Sequence, residues 1–273
     1  MNSKQVMNHA ADNIRILAAS MVEKAKSGHP GGAMGGADFI NVLYSEFLQY
    51  DPANPKWEGR DRFFLDPGHM APMLYSQLAL IGKFTLDELK QLRQWGSPTP
   101  GHPEVDVMRG IENTSGPLGQ GHVFAVGAAI AAKFLAARTG NPTFAKETIY
   151  AYISDGGIQE EISQGAGRIA GCLGLDNLVM FYDSNDIQLS TETKDVTTED
   201  TAMKYRAWNW NVIEINGNDC EQIREALNAA KADEYPIVAE IRDKMRPFWT
   251  YLKGKGLISS RKYDRLTRAT TFL

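Results

Sequence analysis

Apolar residues recur at roughly helical spacing over several stretches of the first half of the chain. The first stretch, residues 6–24, ends at a glycine-rich turn over residues 27–32, because glycine and proline interrupt the repeat there. Further helices are predicted over residues 37–50, 86–95 and 123–137. A charged, proline-containing segment over residues 52–62 is predicted to be a loop.

The second half alternates between strand-like and helical segments. Strand-like runs occupy residues 148–154, 178–182, 211–215 and 236–241, and helical runs occupy residues 158–172 and 220–232. This alternation predicts a parallel sheet with helices on both faces. The expected fold class is therefore α/β, with three α/β/α layers and a mainly parallel sheet. We expect one domain over residues 1–242 and a basic tail over residues 243–273.

Composition excludes several classes of protein. The 273 residues are 43% hydrophobic, enough for a sizeable core, and the net charge of -4 provides no broad basic surface for nucleic acid. Two cysteines, Cys172 and Cys220, form neither a metal knuckle nor a disulfide framework. The N-terminal segment has no signal-peptide or membrane-length apolar run, so we expect a cytoplasmic protein that binds a small soluble ligand.

The strongest chemical pattern joins two strand ends. Asp155 and Gly156 follow one predicted strand, and Asn185 follows the next strand, thirty residues after the aspartate. A glycine lets a backbone N–H approach a phosphate closely, and ligands bind beyond the carboxyl ends of parallel strands. Asp155, Asn185 and the carbonyl of Ile187 supply three hard oxygen ligands, which suit Mg²⁺ bound to a diphosphate. Either element alone is equally typical of an ordinary turn.

Three of the five histidines, His29, His69 and His102, lie in loops that are rich in glycine and proline. A histidine in such a loop is more often a hydrogen-bonded turn or surface residue, although loops of this kind also line sites. No HxxxH spacing indicates a metal centre. We interpret His9 as a helical surface residue, and the role of His122 stays open.

The strand-end pattern resembles the motif of thiamine diphosphate enzymes, which runs from Gly-Asp-Gly to Asn-Asn over about thirty residues. Further motifs are similar to those of transketolases and occur in the family's order: Ser27-Gly28-His29-Pro30-Gly31, Arg60-Asp61-Arg62-Phe63 with Gly68-His69, Thr99-Pro100-Gly101-His102-Pro103-Glu104, and Gly116-Pro117-Leu118-Gly119-Gln120-Gly121. Together they cover roughly residues 10–240. A 1-deoxyxylulose-5-phosphate synthase is a poorer match, because residues 99–104 and 116–121 follow the transketolase pattern.

The resemblance implies roles for individual residues. His29, His69 and His102 would be catalytic, lining the substrate channel with pKa values near neutrality. The implied metal is Mg²⁺, or Ca²⁺ or Mn²⁺ in its place, on Asp155, Asn185 and Ile187. Glu160 would also reach the dimer interface. The residues implied to bind thiamine diphosphate are Gly116, Leu118, Asp155, Gly156, Glu160, Asp183 and Asn185.

The chain departs from the family pattern at four places. Ser154 replaces the first glycine of Gly-Asp-Gly, Asp186 replaces the second asparagine, and Gly165 replaces a glutamate of the subunit interface. Residues 242–247 read Arg-Asp-Lys-Met-Arg-Pro, where the family continues into a Lys-Thr element and a further histidine. The pyrimidine-binding domain, with the glutamate that activates the cofactor, is also expected on another chain.

Two functional hypotheses follow. In the first, the chain is the diphosphate- and metal-binding half of a transketolase of the pentose phosphate pathway. It would transfer a two-carbon ketol unit between sugar phosphates, once a chain carrying the pyrimidine-binding domain completes it, and would be inactive alone. In the alternative, it is a catalytically silent or truncated thiamine diphosphate-binding module. A homodimer or heterotetramer is expected, because an isolated half would expose apolar surface.

Overall fold

The computed structural model describes residues 2–188 and 191–232. The predicted strand over residues 236–241, the domain boundary after residue 242 and the basic tail over residues 243–273 lie outside the described residues. The domain division therefore stays a prediction.

A parallel sheet forms the centre of the described chain. Its strands β1 (Arg62–Leu65), β2 (Ile149–Ser154) and β3 (Leu178–Asp183) are hydrogen-bonded in that order. Aromatic and β-branched residues make up at least half of each strand, as expected for a pleated surface. Strands β1 and β2 are mostly buried, whereas β3 is buried only at Leu178. Because Ser154 pairs with Asp183, β2 and β3 end side by side. A short antiparallel pair follows, β4 (Ile187–Gln188) and β5 (Thr191–Glu192).

Helices occupy most of the remaining described chain. In chain order they are α1 (Lys4–Ala25), α2 (Pro30–Gly35), α3 (Ala37–Val42), α4 (Ala71–Leu80), α5 (Leu86–Leu89), α6 (Gln120–Thr139), α7 (Pro142–Ala145), α8 (Asp155–Gln159), α9 (Glu161–Leu173), α10 (Thr201–Ala207) and α11 (Cys220–Ala232). A π-helical turn covers Leu43–Phe47, and 3-10 turns cover Gly68–Met70, Val107–Arg109 and Thr193–Asp195.

The two faces of the sheet bury different helices. Phe63 and Tyr152 face one side, where α1, α3 and α4 pack, whereas Phe64 and Ala151 face the other side, where α6 and α9 pack. This alternation follows from the period of two along a strand. Each fully buried large apolar side chain stabilises the fold by about 1.5–3 kcal/mol. The α/β fold class with a mainly parallel sheet is confirmed.

Helix α1 shows how the sequence pattern becomes an element. The side chain of Ser3 accepts the N–H of Val6 and caps the helix, and Lys26 ends it in the left-handed conformation with φ 51°. Buried residues along it recur at spacings of three and four, which places them on one face. The helix predicted over residues 6–24 is confirmed, with ends displaced by two residues or fewer at Lys4 and Ala25.

Three predicted elements differ from the structure. The helix predicted over residues 37–50 is α3 continued by the π-helical turn, and the helix predicted over residues 86–95 stops after α5. Arg93 has φ 62°, which an α-helix does not accommodate. The strand predicted over residues 211–215 was wrong, because no strand is assigned there. Among the described strands β3 pairs only with β2 in the sheet, and residues 211–215 and β3 line the same cavity.

Helix α6 is long and apolar enough to cross a membrane by length and composition alone. In the structure it packs against β1, β2 and α9, and it buries Gly121, His122, Ala125 and Ala129. The core therefore accounts for one face of the helix, whereas Phe124 and Phe134 on it are exposed.

Candidate functional site

The candidate site lies where β2 and β3 end. Asp155 follows β2 directly as the first residue of α8, and it is only 2% exposed. Asn185 lies two residues beyond the end of β3. The parallel pairing of the two strands brings these residues together, although thirty positions separate them in the sequence.

Hydrogen bonds join the residues expected to bind the metal. One carboxylate oxygen of Asp155, Oδ2, accepts the backbone N–H of Asn185 at 3.2 Å, and the other accepts the hydroxyl of Tyr182. The amide oxygen of Asn185 accepts the N–H of Ile187 at 3.1 Å. Residues 185–187 therefore form a turn, and its first residue is hydrogen-bonded to Asp155. Within the described chain no cluster of three His, Cys, Asp or Glu residues could hold a metal, so a cation here would need amide or carbonyl oxygens.

Asp183 is a second carboxylate beside this turn. Its Oδ2 accepts the hydroxyl of Tyr152 at 2.8 Å, and burial raises the pKa of the carboxyl above its usual range. A Cβ placed on Gly35 of α2 would lie 3.9 Å from the same oxygen. Asp183 therefore lies between the sheet and the end of α2.

The second glycine-rich segment, residues 116–121, lies opposite α8. A Cβ on Gly156 would lie 3.0 Å from Cδ1 of Leu118, so these two expected cofactor contacts are neighbours. Gly116 has open space where a side chain would project. Gly119 has φ 84° and leads the chain into α6. Small residues thus leave room between the two elements for a ligand.

Two of the three predicted catalytic histidines are in ring contact. The centroids of His29 and His69 are 5.0 Å apart, edge to face. A Cβ on Gly68 would lie 2.7 Å from Cδ2 of His102, so His102 packs against the residue preceding His69. The structure therefore brings all three loops to one place, as expected from the sequence.

The expected near-neutral pKa was wrong for His69. Burial, followed by the charges of His29, His102 and Arg93, lowers the pKa of His69 to about 4. Burial and the charge of Arg93 also lower the pKa of His102 below its usual value. His69 is therefore a neutral imidazole at pH 7, which can donate one hydrogen bond and accept another.

A cavity of about 1500 Å³ joins these groups. Of the eleven residues expected to act at the site, nine line it: His29, His69, His102, Gly116, Leu118, Gly156, Asp183, Asn185 and Ile187. Asp155 does not line it and is buried behind Tyr182 and Asn185. The cavity is also lined by β3 and by residues 210–217.

Glu160 does not line the cavity. It has an extended backbone between α8 and α9, with φ -63° and ψ 132°, and its side chain is exposed. A Cβ on Gly119 would lie 2.8 Å from the Cβ of Glu160, so the residue packs against the start of α6. Its position at the surface is compatible with the interfacial role expected for it.

Sequence reasoning missed the residues that orient the carboxylates. Tyr182 bonds Asp155, and Tyr152 bonds Asp183. Gln159 donates from Nε2 to the backbone carbonyl of Asp155 at 2.9 Å. The tyrosines carry no sequence signal of this role, because aromatic residues are equally typical of buried strands.

The donor set fits a divalent cation and a diphosphate. Oxygen ligands from Asp155, Asn185 and Ile187 suit a hard cation. The absent side chain of Gly156 leaves its N–H approachable, since a Cβ there would already meet Leu118. The cavity is also large enough for a cofactor-sized ligand.

Comparisons with known proteins identify the family of this chain. A family model described as "Transketolase, thiamine diphosphate binding domain" matches residues 6–244. The chain belongs to the transketolase family. The family is a thiamine diphosphate-binding one, which implies that cofactor with a divalent cation, and the resemblance seen in the sequence is confirmed.

Individual relatives support the assignment. A transketolase from Halalkalibacterium halodurans is 42% identical over 244 residues, covering 88% of this chain and 37% of the relative. Transketolase 1 of Escherichia coli is 46% identical over 226 residues, covering 81% and 34%. The solved transketolase from Leishmania mexicana is similar with a TM-score of 0.81 at 42% identity, covering 85% of this chain and 35% of that chain. The chain thus spans about a third of the length of the transketolases it matches.

Proposed function

We propose that this chain supplies the diphosphate- and metal-binding side of a transketolase active site, which a pyrimidine-binding domain on another chain completes. The completed enzyme would transfer a two-carbon ketol unit between sugar phosphates in the cytoplasm. The observation that carries the proposal is the turn joining Asp155, Asn185 and Ile187 at the edge of the cavity. When bound, thiamine diphosphate supplies a carbon nucleophile for reactions at ketone and aldehyde groups.

In this proposal Asp155, Asn185 and the carbonyl of Ile187 hold Mg²⁺, for which Ca²⁺ or Mn²⁺ would substitute. The N–H of Gly156 binds the diphosphate, and Gly116 and Leu118 contact the rest of the cofactor. Tyr182 fixes one oxygen of Asp155 by donating its hydroxyl hydrogen, which limits the rotation of the carboxylate. A ligand already held by such a partner loses little conformational entropy when the metal binds.

The three histidines are proposed to bind the sugar. His29 and His69 are in ring contact and His102 lies beside them, so a ketose carbonyl and hydroxyls in the cavity could reach all three. Because His69 is neutral at pH 7, we assign it to hydrogen bonding and not to donation of a proton from imidazolium.

The assembly is proposed from exposed apolar residues on two packed helices. On α6 and α9 the large apolar side chains Val123, Phe124, Ile130, Phe134, Ile162, Ile169 and Leu173 are exposed. Such residues on neighbouring helices are typical of a subunit interface. We expect a second copy of this chain to cover them, giving a homodimer, or a heterotetramer once the completing chain is bound.

The alternative of a silent module is not favoured, because the residues expected at the cofactor and substrate sites are present and nine of them line one cavity. Loss of activity without the second domain remains part of the proposal.

Calorimetric titration of the full chain with thiamine diphosphate, with and without Mg²⁺, tests the proposal. We expect binding that requires Mg²⁺ and is weakened at least about a hundredfold in Asp155→Ala, because the variant lacks an anionic metal ligand. The control is Asp12→Ala, which removes an exposed carboxylate paired with Arg15 on α1 and should leave the affinity unchanged.

Either of two results would contradict the proposal. One is the absence of heat from thiamine diphosphate in the presence of Mg²⁺. The other is binding of equal strength in the wild-type chain and in Asp155→Ala.

A further inference from the structure

Asp66 is a buried carboxylate that the proposed site does not use. It directly follows β1, and its exposed fraction is 0%. Within the described chain no ion pair involves it: its partners are three backbone N–H groups. Oδ2 accepts from Gly119 at 3.0 Å, and Oδ1 accepts from Gly121 at 2.8 Å and from His122 at 3.4 Å.

These three N–H groups belong to the start of α6. The first N–H groups of a helix have no partner within it, and a side chain at the residue before the helix normally accepts one of them. That residue is Gly119 here, which has no side chain and has φ 84°. Asp66 therefore caps α6 from another element, more than fifty residues earlier in the chain. The partial positive charge of the helix start further stabilises its carboxylate.

The other flank of the glycine-rich segment is also bonded to the end of β1. Asn113 accepts the N–H of Leu65 at 3.2 Å and donates to its carbonyl at 3.1 Å. The hydroxyl of Ser115 donates to the carbonyl of Leu65 at 2.5 Å and to that of Asp66 at 3.0 Å. Residues 116–118, which are proposed to contact the cofactor, are therefore attached to the end of β1 on both sides. Asn113 and Ser115 make the bonds on one side, and Asp66 accepts those on the other.

Asp66 also contacts α8, the helix that carries the diphosphate-binding Gly156. A Cβ on Gly157 would clash with Oδ2 of Asp66, and a Cβ on Gly121 would clash with its backbone. Both glycines thus allow the carboxylate to pack between α6 and α8. A single side chain therefore contacts both of the elements that face each other across the proposed diphosphate site.

We propose that Asp66 is a positioning residue for cofactor binding: its carboxylate holds the glycine-rich segment 116–121 against α8, in the geometry that receives thiamine diphosphate. The inference rests on the proposed function and deepens it. It predicts that weakening the cap lowers cofactor affinity by more than the accompanying loss of stability explains.

Asp61 provides a matched control at the opposite end of the same strand. It is 3% exposed, and its carboxylate also accepts backbone N–H groups, from Gln49 at 2.9 Å and from Thr148 at 2.8 Å. Burial raises the pKa of both Asp61 and Asp66. The two residues therefore have similar structural roles, but only Asp66 lies next to the proposed site.

The test compares Asp66→Asn, Asp66→Ala and Asp61→Asn in the full chain. Thermal melting is recorded first, and thiamine diphosphate is then titrated in the presence of Mg²⁺ well below each melting temperature. Both asparagine variants should melt at lower temperature, because an amide nitrogen cannot accept an N–H. The dissociation constant should rise about tenfold in Asp66→Asn and more in Asp66→Ala, and it should stay at the wild-type value in Asp61→Asn.

The outcomes separate the possible failures. An Asp66→Asn variant that melts early but binds with the wild-type dissociation constant would show a purely structural residue. Equal weakening in Asp61→Asn would also overturn the inference, because it would trace the effect to general destabilisation. A wild-type chain that does not bind thiamine diphosphate would overturn the proposed function and this inference with it. If Asp66→Ala does not fold, the comparison of Asp66→Asn with Asp61→Asn still tests the inference.

Discussion

At the residue scale, burial changes the chemistry of side chains whose identity was clear from the sequence. His69 was expected to titrate near neutrality, and the packing of its loop lowers its pKa to about 4. His122, whose role was open, is completely buried, and its Nδ1 is 2.8 Å from the hydroxyl of Ser163. Within the described chain its Nε2 has no hydrogen-bond partner. Such a side chain makes folding sensitive to acid.

His122 gives a pH-dependent prediction. Burial lowers its pKa from 6.5 to about 4, so between these values the unfolded chain binds a proton that the folded chain does not. Stability is therefore lost as the pH falls through this window. Between pH 7 and pH 5, His122 should lower the free energy of unfolding by about 2 kcal/mol. Urea unfolding of His122→Asn, which can still hydrogen-bond Ser163, should show a correspondingly smaller loss than the wild type.

The control for this prediction is His9→Asn, because His9 is an exposed residue of α1. It should retain the pH dependence of the wild-type chain. A His122→Asn variant that loses as much stability as the wild type between pH 7 and pH 5 would contradict the assignment.

At the element scale, α9 shows how small residues allow the chain to approach a helix. The ring N–H of Trp210 donates to the carbonyl of Gly167 at 2.9 Å, and a Cβ on Gly171 would overlap the carbonyl oxygen of Trp208. Residues 208–210 therefore pack directly on the backbone of α9. Gly165, on the same helix, has open space around it, although the family pattern has a glutamate there.

The two glycines of α9 predict opposite effects of the same substitution. Gly171→Ala should lower the free energy of unfolding by about 3 kcal/mol, because the new methyl group has no room beside Trp208. Gly165→Ala should raise it by about 0.5–1 kcal/mol, because alanine favours the helix and meets nothing. Urea unfolding of both variants measures the difference, and effects of equal sign would show that the packing on α9 is not as described.

At the scale of the whole molecule, the sheet and its two helical layers account for the core but leave apolar side chains outside it. Phe134 on α6 and Ile169 on α9 are large and exposed, and their helices pack against each other. A contiguous group of such exposed side chains is typical of a subunit interface, and the proposed second copy of the chain would cover them.

Association can be tested with two equally exposed residues. Phe134→Asp should weaken self-association at least about tenfold, because a charge would be buried at the interface. Ile16→Asp, on α1, should not change association, although Ile16 and Phe134 are both 63% exposed. Sedimentation velocity over a range of concentrations measures both. A wild-type chain that stays monomeric, or two variants with the same effect, would contradict the proposed interface.

Much of the candidate site could be predicted from the sequence, because its signals are local. Asp155 stands directly after an apolar run with the length of a strand, and Asn185 lies two residues beyond the next strand. The carboxyl ends of parallel strands meet at one edge of a sheet. The glycine- and proline-rich loops around the three histidines are likewise visible in the sequence. The alternation of strands and helices was enough for the fold class.

Only the tertiary structure decided which groups support that site. The bond from Tyr182 to Asp155 and those from the start of α6 to Asp66 join residues between 27 and 56 positions apart, so no periodic sequence pattern indicates them. The low pKa of His69 and the absence of a strand over residues 211–215 depend on burial and on pairing across the sheet. Both are properties of the assembled fold, because a local sequence pattern specifies neither the neighbours of a side chain nor its exposure to water.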